Sequence, residues 1–260
     1  MSQMQERRVF AHLFRYPIRK QVEICIRNKV GCLLTLRTST LMSLNQKHVD
    51  FLLEASKKIP IAIHGPFHDM FPGSIDPYIR EATIRRFSEA IEIAKKIGAK
   101  FLTIHLNYIE TLHGRYLEEW VTNSADTFRR LTEFGIPIHI ENTREKDPYI
   151  FHRILTEVGN PLVRMCLDIG HIVAYSDRSI KEWIRTLSGY ISELHLHECR
   201  PGRDSHDVLG CGYIDWELVF GALRQNRVDI STVFLTLETK DEDDLKRDIL
   251  FLKEILGHDE

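Results

Sequence analysis

Glu193–Trp216 reads ELHLHECRPGRDSHDVLGCGYIDW, with three histidines set between an alternating apolar run and a Gly-x-Gly turn. Leu194 and Leu196 alternate with His195 and His197, the period of a half-buried strand. A polar loop follows with Asp204 and His206 two residues apart, then Gly210 and Gly212 release the backbone into a turn. Asp215 stands immediately before Trp216 as a helix cap. A strand ending in an imidazole, followed by a loop with a carboxylate and another imidazole, suits a divalent cation.

Outward from this stretch, short apolar runs alternate with longer amphipathic segments. Strands are expected at 8–14, 32–36, 59–64 and 101–105, each followed by a helix, at 22–27, 48–57, 77–97 and 116–134. The second half repeats the pattern, with strands at 136–141, 162–168, 191–197 and 232–238. Their helices fall at 148–158, 180–187, 216–224 and 242–256. Gly98 and Gly135 close two of the helices. Eight strand-plus-helix units, with no linker or low-complexity tract between them, are the content of one (β/α)8 TIM barrel spanning residues 1–260. An open doubly wound sheet would carry a glycine-rich phosphate turn after its first strand, and none is present.

Composition narrows the function classes. A net charge of −2 argues against a broadly basic nucleic-acid surface. The start, MSQMQERRVFAHLF, lacks the apolar centre of a secretory signal, and no apolar run reaches membrane-spanning length. Five cysteines without a Cys-x-x-Cys pair fit a reduced, cytoplasmic chain, with Cys199 and Cys211 not counted as ligands.

Six consecutive strands end in a metal-ligand type: His64, His105, Glu141, Asp168, His195 and Glu238. Strand ends of a barrel converge on its C-terminal mouth. A carboxylate closing an apolar run is costly to bury alone, and bound cations offset that cost for all six together. His171, three residues past Asp168, turns toward the same centre, and Asp204 with His206 adds a loop pair. His139 shares the face of Glu141 one step deeper, as a supporting residue. His12 is not expected as a ligand. His68 in the third loop and His197 one step beyond the mouth are expected as substrate contacts, whereas His113, His152 and His258 read as surface residues.

The motifs IHGPF, IHIENT, CLDIGH, HLHE, DSH followed by LGCGYIDW, and LTLETK occur in an order that resembles the xylose-isomerase-like TIM-barrel superfamily, over almost the whole chain. That superfamily includes endonuclease IV and many sugar isomerases and epimerases. The resemblance implies a Glu141, Asp168, His195, Glu238 quartet around one divalent ion in an isomerase or epimerase. For an endonuclease-IV-like site it implies that quartet plus His64, His105, His171, Asp204 and His206 around three zinc ions. The His and carboxylate set also accepts Mn, Fe, Co or Mg. Two enzyme readings follow. In metal-assisted phosphoester hydrolysis Glu141 bridges ions and Glu238 orients water, while Arg200 and Arg203 meet phosphate and abasic DNA is one candidate substrate. In sugar or sugar-phosphate isomerisation Glu141 and Glu238 shuttle a proton at carbon. For duplex DNA, the third loop offers the aromatic Phe67 and the second only Arg37 as an obvious phosphate contact, without the basic track that base flipping needs. A non-catalytic metal-stabilised binding protein is the third class.

Overall fold

The computed structural model describes residues 8–257, so His258 and the first seven residues lie outside it. Its strands are β1 (Val9–His12), β2 (Gly31–Thr35), β3 (Ile61–His64), β4 (Leu102–His105), β5 (Ile138–Glu141), β6 (Val163–Asp168) and β7 (Ile191–Leu196). A hairpin of β8 (Glu198–Arg200) and β9 (Arg203–Asp207) precedes β10 (Phe234–Glu238). All the strands except the hairpin close into one parallel barrel in chain order, β10 pairing with β1 through Val9↔Leu235 to His12↔Glu238. This is the TIM barrel fold expected from the alternating units.

The helices are α1 (Ile18–Asn28), α2 (Thr38–Ser43), α3 (Gln46–Ser56), α4 (Pro77–Ile97) and α5 (Glu110–His113). They continue as α6 (Leu117–Thr132), α7 (Tyr149–Val158), α8 (Ile169–Tyr175), α9 (Ile180–Leu187), α10 (Trp216–Gln225) and α11 (Glu242–Gly257). Local chemistry sets their ends. Asp76 caps α4, with Pro77 in its first turn, and Gly98 ends it at φ 68°. Asp215 accepts the Leu218 N–H at the start of α10, the cap expected there.

Along each strand, side chains alternate between two cores. Val9 and Ala11 face the helix layer, which also buries Trp120 and Trp183. Phe10, Leu33, Ala62 and Phe101 plug the barrel floor, with Phe234 against them and Phe101 and Phe234 ring centres 4.6 Å apart. The same period of two that seats Phe10 on the floor carries His12 to the mouth.

Four elements differ from expectation, the one-turn helix α5 among them. α2, α8 and the β8–β9 hairpin occupy segments read as loops. Each is too short for an apolar period to emerge, and local bonds build it instead. Asp168 caps α8 by accepting the His171 N–H at 2.6 Å. Glu198 is fully buried and accepts from the Gly210, Tyr213 and Ile214 N–H groups and from Trp216 Nε1. One carboxylate thus ties the hairpin to the Gly-x-Gly turn, where Gly210 has φ 77° and any side chain would strike the Phe251 ring.

Candidate metal centre

Register alone brings the strand-end residues together. His105 lies opposite Glu141, Asp168 opposite His195, and Thr35 opposite His64. All nine side chains singled out as ligands, on β3 to β7, α8, the hairpin and β10, meet at the C-terminal mouth in overlapping groups. Of the five groups among the described residues, one joins His64, His105 and Glu141, a second Asp168, His195 and Glu238, and a third His171, Asp204 and His206 with His197, while Glu141 also groups with Asp168 and His171 and with Cys166 and His195.

Glu141 divides its oxygens between groups. Its Oε2 lies 3.1 Å from His64 Nε2 and 3.4 Å from His105 Nε2, while Oε1 lies 3.5 Å from His195 Nδ1. Glu238 also faces two ways, with Oε1 3.2 Å from His195 Nδ1 and Oε2 3.1 Å from His206 Nδ1. Three of the imidazoles anchor one nitrogen and turn the other inward, as ligating histidines do. His64 Nδ1 meets the Gly65 carbonyl, His171 Nδ1 the Asn142 carbonyl, and His195 Nε2 the Glu193 carboxylate. The Nδ1 of His195 is buried without a directed hydrogen bond, facing three carboxylates, and His206 Nδ1 likewise makes none although Glu238 Oε2 lies 3.1 Å away. Orphaned imidazole nitrogens converging on shared carboxylate oxygens fit divalent cations.

The charge pattern has a physical origin. Burial would lift Glu141, but His195 and His105 hold it well below the usual carboxylate range. Burial likewise opposes ionisation of Glu238, and His195 and His12 prevail over it. For His206, burial works against the imidazolium, yet the adjacent Asp204 and Glu238 carboxylates carry it up to about 10. His105 goes the other way, because burial outweighs the attraction of Glu141. Carboxylates kept ionised beside inward-facing imidazoles are the protonation pattern that cation binding requires, once protons leave the rings.

Several supporting residues escape the sequence reading. Glu193 is fully buried beneath the centre and accepts from Thr103 at 2.6 Å, Thr236 at 2.9 Å and His139 at 2.9 Å, besides His195. His12 holds Glu238 at 2.6 Å and Thr35 at 2.6 Å. Asn142 clamps Asp168 through both backbone groups, accepting its N–H and donating to its C=O. The sequence signal for Glu193 is its spacing, since it shares an inward face with His195 two residues on.

The expected substrate contacts divide. His68 is exposed beside Phe67, whose ring lies 4.8 Å from His105. Arg200 and Arg203 are exposed on the hairpin, Arg200 over the Tyr213 ring. His197 needs correction as a substrate contact. It is fully buried, bonds Asp168 at 3.1 Å and stacks on His206 at 4.2 Å, continuing the inward face of His195. Cys199, set aside at first, places Sγ 3.3 Å from His197 Nδ1 and 3.4 Å from Asp204, although Cys211 is exposed. His113 stacks on Trp120 at 3.8 Å and is half-buried, and His152 is exposed.

Residues 34–255 match the family model for xylose isomerase-like TIM barrels. The chain belongs to that family. Among curated relatives, a "probable endonuclease 4" of Mycobacterium leprae is 26% identical over 208 residues, covering 75% of this chain and 79% of that protein. An uncharacterized protein of Methanocaldococcus jannaschii is 25% identical over 226 residues, covering 82% of this chain and 76% of its own length. Among solved structures, a D-tagatose 3-epimerase-like protein superposes with a TM-score of 0.81 at 22% identity, covering 96% of this chain and 97% of that one. A Thermus thermophilus protein soaked with ZnCl2 gives 0.78 at 21%, covering 96% and 98%. At such identities the structural likenesses speak for the fold. No helix among the described residues is long and apolar enough to cross a membrane.

Proposed function

We propose that this protein is a divalent-metal-dependent enzyme that hydrolyses phosphoesters, with zinc as the first candidate metal. The observation that carries the reading is the split of Glu141, one oxygen toward His64 and His105 and the other toward His195. A carboxylate that serves two donor groups fits a multi-ion site. When bound, such ions supply Lewis-acid charge and bring the pKa of water toward neutrality. The chain's own residues do the rest. His12 pins one oxygen of Glu238, leaving the other to take the proton of the attacking water. Arg200 and Arg203 meet the phosphate charge from the hairpin, and His68 with Phe67 borders the entrance from the third loop. A small phosphoester is the substrate class, with abasic DNA as the polymeric candidate.

The test is hydrolysis of phosphate mono- and diesters and of an abasic-site duplex by the zinc- and manganese-loaded protein. Glu141→Gln should lower turnover at least a hundredfold, ~3 kcal/mol in barrier. Undiminished turnover would remove Glu141 from the reaction.

A second reading, sugar isomerisation or epimerisation, draws on Glu141 and Glu238 approaching His195 Nδ1 at 3.5 and 3.2 Å, two buried carboxylates at one site. Solvent deuterium entering a sugar carbon, with no phosphoester cleaved, would establish it in place of the first.

A further inference from the structure

His197 is fully buried where the second and third donor groups meet, and both of its nitrogens are already engaged. Nε2 lies 3.1 Å from each oxygen of Asp168, and Nδ1 lies 3.3 Å from the Cys199 sulfur. A carboxylate only accepts, so Nε2 carries the ring proton and donates it. Asp168 is clamped through its backbone by Asn142, and its Oδ1 takes the His171 N–H. The bridge from Nε2 to both oxygens then fixes the rotation of the carboxylate. On its other face the ring lies 4.2 Å from His206, with the two planes 13° apart. Rings stacked in this way aim their lone pairs along parallel planes, so a cation bound to His206 is out of reach of His197. The backbone makes room for the ring, since a Cβ on Gly170 would strike it. His206 has φ 45°, a left-handed conformation that a histidine keeps only under local constraint, and the stacked ring supplies one.

We propose that His197 is a positioning residue of the metal centre, its Nε2–H setting the Asp168 carboxylate and its face setting the His206 ring, so that the second and third donor groups are held as one unit. Cys199 steadies the ring from the Nδ1 side. Partners of this kind orient the ligating atoms and raise a site's affinity without touching the ion. The hold on Asp168 applies whether the mouth takes one ion or several, because Asp168 belongs to both ligand sets. The coupling to His206 rests on the multi-ion reading above.

Two variants of the full chain separate the hydrogen bond from the stack. His197→Phe keeps a ring against His206 and removes the donor, whereas His197→Gln keeps a donor and removes the ring. In competition with a chromophoric chelator, His197→Phe should bind zinc roughly 10- to 100-fold more weakly, and His197→Gln should recover most of that loss. Wild-type affinity in His197→Phe overturns the proposal, and so does an equal loss in both variants. A direct reading needs no variant. Proton–nitrogen correlation spectra of the metal-free wild-type chain should place the His197 proton on Nε2, and a bare Nε2 overturns the proposal however the variants fold. One ion per chain by native mass spectrometry, with the His197→Phe loss intact, would sink the multi-ion reading and the coupling to His206 while the hold on Asp168 stands.

Discussion

Glu193 makes four hydrogen bonds beneath the centre and touches none of the other carboxylates implicated in metal binding. Its effect runs through His195, whose Nε2 it occupies so that Nδ1 faces Glu141, Asp168 and Glu238. Glu193→Gln should therefore weaken zinc binding 10- to 100-fold, read by competition with a chromophoric chelator. An unchanged affinity would mean that packing alone orients His195. The nine ligand positions are readable in the sequence because most terminate apolar strands, where a charged or imidazole side chain has no solvent to justify it. Glu193 and His12 are harder to read. A polar residue inside an alternating strand looks like its solvent face, and only barrel closure turns that face inward. His197 shows the same limit. Spacing places it beyond the strand end, but the packing of Asp168 and His206 around it decides that it is buried.

Among the elements, the two-faced strands link the barrel floor to the metal centre. The floor cluster of Phe10, Leu33, Ala62 and Phe101 supports the layer of Thr103, His139, Glu193 and Thr236, and His139 stacks on Phe101 at 4.5 Å. Phe101→Ala removes a fully buried ring and should cost ~3–5 kcal/mol in urea denaturation. A cost below ~1 kcal/mol would show that the floor refills. The barrel strands and long helices follow from period and capping residues in the sequence. α2 and α8 do not, because a helix of one or two turns shows no period. The hairpin is opaque for a related reason, since its strands pair with each other outside the barrel and hide no apolar face.

At the scale of the whole molecule, a buried acid outside the metal centre shapes the pH dependence of stability. Asp248 on α11 is 2% exposed and accepts the Leu209 N–H at 2.8 Å, and burial pushes it up to about 7. Unfolded, its carboxyl ionises near ~3.9. Between those values only the unfolded chain releases the proton, so this residue's contribution to stability falls as pH rises from about 4 to 7. At ~1.4 kcal/mol per pH unit the contribution is of order 4 kcal/mol. Asp248→Asn keeps an acceptor for Leu209 and should stabilise the fold at pH 8 while changing little at pH 4. Equal effects at both pH values would contradict the assignment.

The barrel exists, on this account, to hold several cations in one mouth. Native mass spectrometry of the purified, zinc-loaded chain counts them most directly. Three ions per chain, falling when Glu141 becomes Gln, is the expected result, and one ion retained unchanged in that variant would contradict it.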